Sequence, residues 1–322
     1  MRLDSNSPAG MGLMEALAKR TGARIRNGTL ALPPGFGAGY FKSYDLGRLL
    51  KMTVCQYELK KDLTITRQGT DSGKDIITFS FRNLFQGRSY PVRLLPSVQV
   101  SSGTLDIEVH TPAGVKMNTI LIIVHVDLLK DLFQQDKGSK MLEPILSGSC
   151  PCLYEEMAST GMLQVATTIF EDTGPAEIRA FHLKIKAEEL IYLFFAELLK
   201  RQKAMPYPLN TSDVKAIYGV RDKVIADLSV PPHLGKLRAL AGMSESKLNR
   251  LFKQIFGMSI YHYYQAIRIN KAAFLIKDQK LSVSEAGHEL GFTNLSHFTR
   301  IFEKHIGMKP KRYSMNAGNP VD

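Results

Sequence analysis

One sequence motif occurs twice in the C-terminal third of the chain, and this repeat constrains the fold more than any other feature. SKLNRLFKQIFGMS at residues 246–259 returns as SHFTRIFEKHIGMK at residues 296–309. Seven positions are identical at a constant offset of 50, namely Leu240/Leu290, Ser246/Ser296, Arg250/Arg300, Phe252/Phe302, Gly257/Gly307, Met258/Met308 and Tyr263/Tyr313. A solenoid needs at least three units to bury its faces. Two copies therefore predict a pair of equivalent units.

Each copy has the pattern of two helices joined by a tight turn. Apolar residues stripe the short first helix: Leu234, Leu237 and Leu240 in one copy, and Val283, Ala286 and Leu290 in the other. The turns are AGM and GFT. Expected helix caps are Ser244 or Ser246 with Gly257, and Asn294 with Gly307, while Ser282 and Glu285 form a capping box. Both copies are predicted to be helix-turn-helix units.

The second helix of each unit is predicted to have a polar outer face. Its core side is assigned to Leu248, Leu251 and Phe252 in one unit, and to Phe298, Ile301 and Phe302 in the other. The outward residues are then Ser246, Lys247, Asn249, Arg250 and Lys253, and Leu295, Ser296, His297, Thr299, Arg300 and Lys304. Such side chains suit base edges, and arginine binds guanine through two donors. The alternative is a plain solvated face, but an arginine repeated in both units favours DNA contact.

The spacing of the units suggests why there are two. Successive major grooves on one side of B-form DNA are ~34 Å apart, and a helix of ~20 residues spans ~30 Å. The segment from about Ile260 to Lys277 is predicted to be one connecting helix. One chain could therefore place both second helices in consecutive grooves of double-stranded promoter DNA.

The distribution of charge agrees with a polyanionic partner. The chain has 42 basic and 30 acidic residues, a net +12, and the residues from Ser212 onward contribute 17 basic and 9 acidic ones. A basic helical segment of this kind indicates nucleic acid rather than a membrane. Three scattered cysteines argue against a disulfide framework, and neither a signal peptide nor a membrane span is recognised. We expect a cytoplasmic protein.

The N-terminal half is predicted to be mostly antiparallel β. Six runs between about Leu49 and Val126 read as strands: MTVCQYEL, DLTITRQG, DIITFSFRNLF, PSVQVSSG, TLDIEVHTP and TILIIVHVD. With no helical crossovers between them, they favour an antiparallel barrel or jelly-roll-like sensor domain that can enclose a small effector. The fold class is α+β, with trailing helices after the barrel and an all-α C-terminal domain.

Helical periodicity follows the strands. LLKDLFQQ, YEEMAST and a long segment from about Ala176 to Gln202 are predicted to be helical. The long helix has a broad apolar face formed by Phe181, Ile185, Leu190, Leu193, Phe194 and Leu198. This face either packs on the helix's own barrel or forms a homodimer seam. The predicted domains are 1–204 for effector binding and dimerisation, 205–211 as linker, and 212–322 for DNA binding.

The repeat resembles the DNA-binding domain of the AraC/XylS family of bacterial transcription regulators. The family's second unit has the form GF-x-x-x-SHF-x-R-x-F-K-x-x-x-G-x-P-x-x-Y, and this chain reads GFTNLSHFTRIFEKHIGMKPKRY. The resemblance covers about Ser212 to Met315 and implies activation through RNA polymerase. It also implies base contacts from matching positions, with phosphate contacts from Lys253 and Lys304. Arg238, Gly287 and Glu303 depart from the family pattern; Glu303 replaces a lysine and removes a phosphate contact.

A looser resemblance covers much of the remaining chain. LPPGFGAGYF, LKIKAEELIYLFFAELL and RDKVIADLSVPPHLGKL resemble the PchR-like subgroup, whose founding member senses a ferric siderophore. This resemblance implies such a compound as one candidate effector. No metal or cofactor is otherwise expected, and the residues that would bind an effector are not assigned.

Other motifs carry weaker alternatives. GFGAGY lacks the flanking strand and helix of a phosphate-binding loop, Cys150-Pro-Cys152 is expected in a solvent-facing loop rather than a zinc site, and His110 and His125 are expected to be hydrogen-bonded strand residues. Two other functional classes are considered. A DNA-repair alkyl-transfer enzyme needs a four-cysteine zinc site that three cysteines cannot supply. An architectural DNA binder would have no effector.

Overall fold

The computed structural model describes residues 2–5, 12–84, 95–133, 142–148, 151–201 and 207–316, and these residues form two compact units. The described residues up to Asp213 form the N-terminal unit, and those from Val214 onward form the C-terminal unit. Of the predicted linker, residues 207–210 have no regular secondary structure, and a helix begins at Thr211. None of the described helices is long and apolar enough to cross a membrane.

Two sheets organise the N-terminal unit. The strands are β1 (Arg2–Ser5), β2 (Ile25–Arg26), β3 (Thr29–Ala31), β4 (Gly37–Asp45), β5 (Leu50–Leu59), β6 (Leu63–Arg67), β7 (Ile76–Arg82), β8 (Ser97–Ser102), β9 (Ile107–Thr111), β10 (Lys116–His125) and β11 (Leu153–Met157). Eight form an antiparallel sheet in the order β11-β8-β7-β10-β5-β4-β3-β2. The other three form a small sheet, β1-β6-β9, in which β1 runs parallel to β6. The six predicted strands are β5 to β10.

One segment differs in type from the sequence-based prediction. YEEMAST was predicted to be helical, but Leu153–Met157 pairs with β8, and its first three side chains are buried. Sheet pairing overrides the weak local pattern there. Part of GFGAGY lies in β4, whose glycines allow a close approach to β5: a Cβ at Gly37 or Gly39 would overlap the carbonyl oxygen of Glu58 or Gln56, respectively. Close strand packing, not a phosphate, accounts for these glycines.

Alternation along the strands gives the large sheet two different faces. One face is apolar and packs against a layer of helices: α2 (Val126–Leu132), α3 (Glu143–Leu146), α4 (Thr160–Phe170) and α5 (Ala176–Leu198). Phe79 on β7 meets the Phe194 ring of α5 edge-to-face, with centroids 5.5 Å apart. Burial of each such ring contributes about 1.5–3 kcal/mol. The opposite face looks toward the small sheet. A remaining helix, α1 (Leu13–Thr21), belongs to a second core cluster with β3, β4 and β5.

The long helix α5 has two apolar faces rather than one. Leu190, Phe194 and Leu198 are buried against the large sheet, as expected for packing on the helix's own domain. Phe181 and Ile185, predicted to belong to the same face, are instead exposed. With two further exposed apolar residues they form what we term the outer stripe, whose members are 44–67% accessible: Ile178, Phe181, Ile185 and Tyr192.

The C-terminal unit is all helical. Its helices are α6 (Thr211–Ala226), which begins at the boundary of the units, α7 (Leu234–Ala241), α8 (Glu245–Phe256), α9 (Ile260–Lys277), α10 (Val283–Glu289), α11 (Leu295–Ile306) and α12 (Pro310–Asn316). The predicted caps are present at Ser244, Ser282 and Asn294, and Gly257 and Gly307 end their helices in the left-handed conformation. Only α12 was not predicted. The connecting helix α9 has 18 residues, hence a length of about 27 Å.

Candidate nucleic-acid interface and inner cavity

The sequence repeat forms two helix-turn-helix pairs, α7–α8 and α10–α11. In the first pair, Gly242 in the left-handed conformation ends α7, and the Ser244 side chain accepts from the Lys247 amide at the start of α8. In the second pair, Asn294 accepts from the His297 amide. The capping rules read from the sequence therefore determine where each second helix begins.

An aromatic pair is repeated behind each second helix. Phe252 of α8 packs against Tyr263 at the start of α9, with ring centroids 5.4 Å apart. Phe302 of α11 packs against Tyr313 of α12 at 5.5 Å. All four residues belong to the seven identities of the repeat, which shows that those identities preserve the packing of each unit.

The side chains predicted to face outward are distributed as follows. On α8, Ser246, Arg250 and Lys253 are exposed, and Lys247 and Asn249 are partly exposed. On α11, Ser296, His297, Arg300 and Lys304 are exposed, and Leu295 and Thr299 are partly exposed. The assigned core residues Leu248, Leu251, Phe252, Phe298 and Phe302 are buried, and Ile301 is partly buried. Each second helix thus has a polar outer face over an apolar core.

The first helices of the two units differ. Leu290 is 4% exposed, but its repeat partner Leu240 is 56% exposed, so the predicted apolar stripe of α7 is wrong at Leu240. Two glycines of the second helix-turn-helix unit have close neighbours. A Cβ added to Gly287 would lie 2.9 Å from Cδ2 of Leu295, and one added to Gly291 would overlap the carbonyl oxygen of Ser229. Arg238, another departure from the family pattern, is exposed on α7.

Sequence reasoning missed Arg268 of α9, which positions the second unit. Its side chain is buried, and Nε donates to the carbonyl oxygen of Leu290, 2.8 Å away, where α10 ends. The guanidinium lies 3.6 Å from the centre of the Phe292 ring. Burial lowers the pKa of Arg268 below its usual value. Nearby, Tyr264 donates to the carbonyl oxygen of Leu228 at 2.9 Å. A single arginine within an otherwise apolar helical face was the available signal.

The N-terminal unit contains a partly open cavity of about 120 Å³ between its two sheets, which we term the inner cavity. Its polar lining comes from β6, β7, β8 and β10: Arg67, Thr78, Ser80, Arg82, Gln99, Ser101 and Thr119. Its apolar lining includes Phe41, Cys55, Ile65, Val109, Met117 and Leu121. The cavity is polar at the β7–β8 side and apolar at the β4–β5 side.

Arg67 crosses from the small sheet to the large one. Its Nη1 donates to Thr78 Oγ1 at 3.0 Å, and Nη2 donates to Ser101 Oγ and to the carbonyl oxygens of Ser102 and Leu105, at 2.9–3.2 Å. Burial lowers the pKa of Arg67 to about 10, so the group remains charged at neutral pH. Among the residues that the structure describes, none forms an ion pair with it or accepts from its Nε.

Cys55 lines the inner cavity, whereas His110, His125 and Cys152 do not. His110 contacts Thr64 Oγ1 across β6 and β9 at 3.3 Å, and the His125 ring accepts from the Asp127 amide at the start of α2. Cys152 is buried, contrary to the expected solvent-facing loop, because its amide donates to Ser102 Oγ and its side chain joins the core. Cys150 lies outside the described residues. Burial raises the pKa of the Cys55 thiol.

Comparison with known proteins finds a family match within the C-terminal unit. Residues 237–316 match the family described as "Helix-turn-helix domain". The chain is 27% identical over 161 residues to the HTH-type transcriptional activator RhaR of Enterobacter sp. (strain 638), covering 49% of this chain and 56% of that protein. It is 27% identical over 174 residues to RhaR of Escherichia coli O139:H28, covering 53% and 60%. The chain thus spans about three-fifths or less of these relatives' length.

Two solved structures are similar in part. A probable AraC family transcriptional regulator from Rhodopseudomonas palustris CGA009 is 28% identical, covers 32% of this chain and 97% of its own, and has a TM-score of 0.30. ToxT from Vibrio cholerae O395 is 13% identical, covers 85% of this chain and 100% of its own, and has a TM-score of 0.33.

Two capped helix-turn-helix pairs joined by one continuous helix define a domain of the helix-turn-helix class. The C-terminal unit contains the matched helix-turn-helix domain, and the chain is similar to transcriptional activators of the RhaR type. The curated relatives that it matches are named as transcriptional activators, and neither is named as an alkyl-transfer enzyme.

Proposed function

We propose that this protein is a sequence-specific transcription regulator that inserts α8 and α11 into successive major grooves of promoter DNA. The observation that carries the proposal is the matched pair of outer faces, each with an exposed arginine at the same repeat position, Arg250 and Arg300. The α9 helix between the two units is about 27 Å long. That reach is close to the groove repeat of ~34 Å.

The outer-face residues divide into two roles. Arg250 and Arg300 read guanine, while Ser246, Asn249, Ser296 and Thr299 supply further polar contacts to base edges. Leu295 offers an apolar contact to a thymine methyl group. Phosphate contacts come from Lys253 and Lys304, with Lys247 and His297 at the rim. By the family resemblance, RNA polymerase is the partner through which the bound protein activates transcription.

Selection of bound DNA from a random pool tests this proposal. The full-length protein should enrich a bipartite site whose halves are one helical turn apart. Arg250→Ala and Arg300→Ala should each relax sequence preference in one half-site and cost about 1–3 kcal/mol of binding. Arg312→Ala removes the same charge from α12 and serves as the matched control. Footprints that remain unchanged in both recognition-helix variants would contradict the proposal.

The N-terminal unit is proposed to bind a small effector in the inner cavity. A pocket with polar and apolar walls between two sheets supports this role. The second candidate is an effector-independent architectural DNA binder. The two differ in thermal melting with a metabolite panel, because a ligand that binds only the folded protein raises its stability by mass action. A panel without any effect would favour the architectural alternative.

The protein is also proposed to form a homodimer through α5. Ile178, Ile185 and Tyr192 of the outer stripe are seven residues apart, which is the repeat of a two-helix seam. Lys184 and Glu188 form an ion pair at 3.9 Å, and Lys186 and Glu189 form one at 2.8 Å, along the same helix. An exposed apolar stripe flanked by charges is typical of a surface that a partner covers, and here the proposed partner is α5 of a second copy.

A further inference from the structure

The first strands of the large sheet lie in a basic stretch of the chain. Residues 16–44 contain five basic residues and no acidic one, namely Lys19, Arg20, Arg24, Arg26 and Lys42. Residues 1–211 as a whole have 25 basic and 21 acidic residues, a net +4. This stretch therefore carries more positive charge than the whole N-terminal part of the chain, whose other charges nearly cancel.

A tight hairpin turn follows Arg26. Asn27 and Gly28 join β2 to β3, and both have a positive φ, +47° and +70°, as a type I′ turn requires. The Ser43 amide of β4 donates to the carbonyl oxygen of Gly28 at 2.8 Å. A Cβ at Gly28 would lie 2.8 Å from the carbonyl oxygen of Ser43, so the turn packs closely against β4. The backbone that carries Arg26 is therefore held in place by its own sheet.

Strand pairing places Arg26 and Lys42 on one face of the large sheet. Arg26 pairs with Thr29 of β3, which in turn pairs with Lys42 of β4. Paired residues share a face, and two strand spacings separate their Cα atoms by about 10 Å. Lys19 and Arg20 lie in the last turn of α1, which contacts β2, the edge strand of the sheet. We term the surface around this strand the basic edge: Lys19, Arg20, Arg24, Arg26 and Lys42.

The basic edge is not neutralised by the residues that the structure describes. Four of its members are exposed, and Lys42 is partly exposed. None of the five forms an ion pair with a described acidic residue. The core beneath the helix layer includes no residue of β2 or β3. Alternation along β4 puts Tyr40 and Tyr44 beside Lys42, whose Nζ lies 5.1 Å from the centre of the Tyr44 ring.

We infer that the basic edge binds the phosphate backbone of duplex DNA outside the two half-sites, without regard to base sequence. Charge complementarity supports this partner, because guanidinium groups bond phosphate oxygens side by side and each neutralised phosphate releases a counterion. Tethering to a C-terminal unit that is bound to DNA raises the local concentration of duplex. The inference rests on the proposed function and extends DNA contact to the N-terminal unit.

An anionic lipid surface is the other partner that such a charge attracts. Lipid binding also requires apolar side chains that enter the headgroup region beside the charges. Ile25 is an exposed apolar residue between the two arginines, at 38%. It pairs with Leu30, which belongs to the core cluster of α1, so Ile25 faces the side of α1. Arg26 and Lys42 face the opposite side of the sheet. The separation of apolar and basic side chains favours DNA.

Salt-dependent binding of the full-length protein to two DNA probes tests the inference. Both probes contain the same selected bipartite site. The short probe ends at the half-sites, and the long probe extends it on each side by about two helical turns of arbitrary sequence. The plot of log affinity against log salt should be steeper on the long probe by about two units or more, since each phosphate contact adds about 0.9. Equal slopes on both probes would overturn the inference.

Paired variants assign the effect to the basic edge. Arg24→Gln with Arg26→Gln should lower the long-probe slope by about two units and leave the short-probe slope unchanged. Arg24→Lys with Arg26→Lys should keep most of the slope, because lysine also neutralises a phosphate. Lys60→Gln with Lys61→Gln removes the same charge from two exposed lysines after β5 and should change neither slope. Equal losses in the glutamine and lysine pairs at the arginines, or a loss in the Lys60 and Lys61 pair as large as that at the arginines, would contradict a local phosphate contact.

The outcomes separate this inference from the proposed function. If a bipartite site is enriched but the two probes give equal slopes, only the basic-edge contact fails. If no site is enriched, the proposed function fails, and the same variants measured on long random-sequence duplex still test the basic edge. Equal slopes together with binding to phosphatidylserine vesicles would reassign the surface to lipid. Equal slopes together with aggregation of the glutamine variant at the arginines would assign the charges to protection of the sheet edge.

Discussion

Nε of Arg268 donates a 2.8 Å hydrogen bond to the carbonyl oxygen of Leu290, and this bond joins the connecting helix to the turn of the second helix-turn-helix unit. The carbonyl lies where α10 ends, so it has no helical donor of its own. Phe292 covers the guanidinium from the turn side. The α9 helix is therefore bonded to one of the two units that it connects, through the buried interior of that unit.

Arg268→Met should destabilise the second unit by about 2 kcal/mol, because it leaves the Leu290 carbonyl buried without its charged donor. Hydrogen exchange should show lost protection in residues 283–306 and little change in α8. Lys277→Met, also on α9, is the control, since Lys277 is exposed in the last turn of that helix. Uniform loss of protection across both units would contradict the local role of Arg268.

Gly291→Ala should cost about 1–3 kcal/mol, since Gly291 has a φ of +74° and an added Cβ would overlap the Ser229 backbone. Gly219→Ala is the matched substitution elsewhere in the C-terminal unit. Gly219 lies within α6, and an added Cβ there meets nothing within 4 Å. It should stabilise by about 0.4–1 kcal/mol. Chemical denaturation measures both, and changes of the same sign would refute this interpretation.

Lys253→Ala and Lys304→Ala should each lower the salt dependence of DNA affinity by about one unit of slope, with sequence preference retained. Glu303→Lys should change the slope by a similar amount in the opposite direction, because it introduces the cation that the family pattern has there. Affinity titrations over a range of salt concentrations measure the slopes. If the slope of every variant equals that of the wild-type protein, these residues do not contact DNA.

Ile185→Glu in the outer stripe of α5 should convert a dimer to monomers, because a charge in an apolar seam loses its hydration on association. Sedimentation equilibrium gives the mass directly. Leu132→Glu replaces a comparably exposed apolar residue, 41% accessible and at the end of α2, and should leave association unchanged. A wild-type protein that is monomeric at high concentration would rule out the seam.

Local sequence patterns were sufficient to predict much of the fold. The repeat, the caps at Ser244, Ser282 and Asn294, and the β-branched runs of β5 to β10 act over a few residues, so they can be read from the sequence alone. The strand at Leu153–Met157 could not be read in this way, because its pairing partner β8 lies about 50 residues away.

Some residues of the candidate sites could likewise be predicted from the sequence, and others could not. The outer faces of α8 and α11 follow from helical periodicity. Arg67, Arg82 and Arg268 do not, because each is defined by what approaches it from distant parts of the chain. Leu240 and Leu290 hold equivalent positions in the repeat but differ in burial, since Leu240 is 56% exposed and Leu290 is 4% exposed.

The α9 helix contains neither glycine nor proline, so it has none of the usual sites for a kink. A rod of this kind cannot absorb torsion. Inserting five base pairs between the half-sites would rotate one of them by about half a turn around the duplex, and α9 itself could not twist to follow it. A promoter served by this protein would have to conserve rotational phase as strictly as it conserves bases.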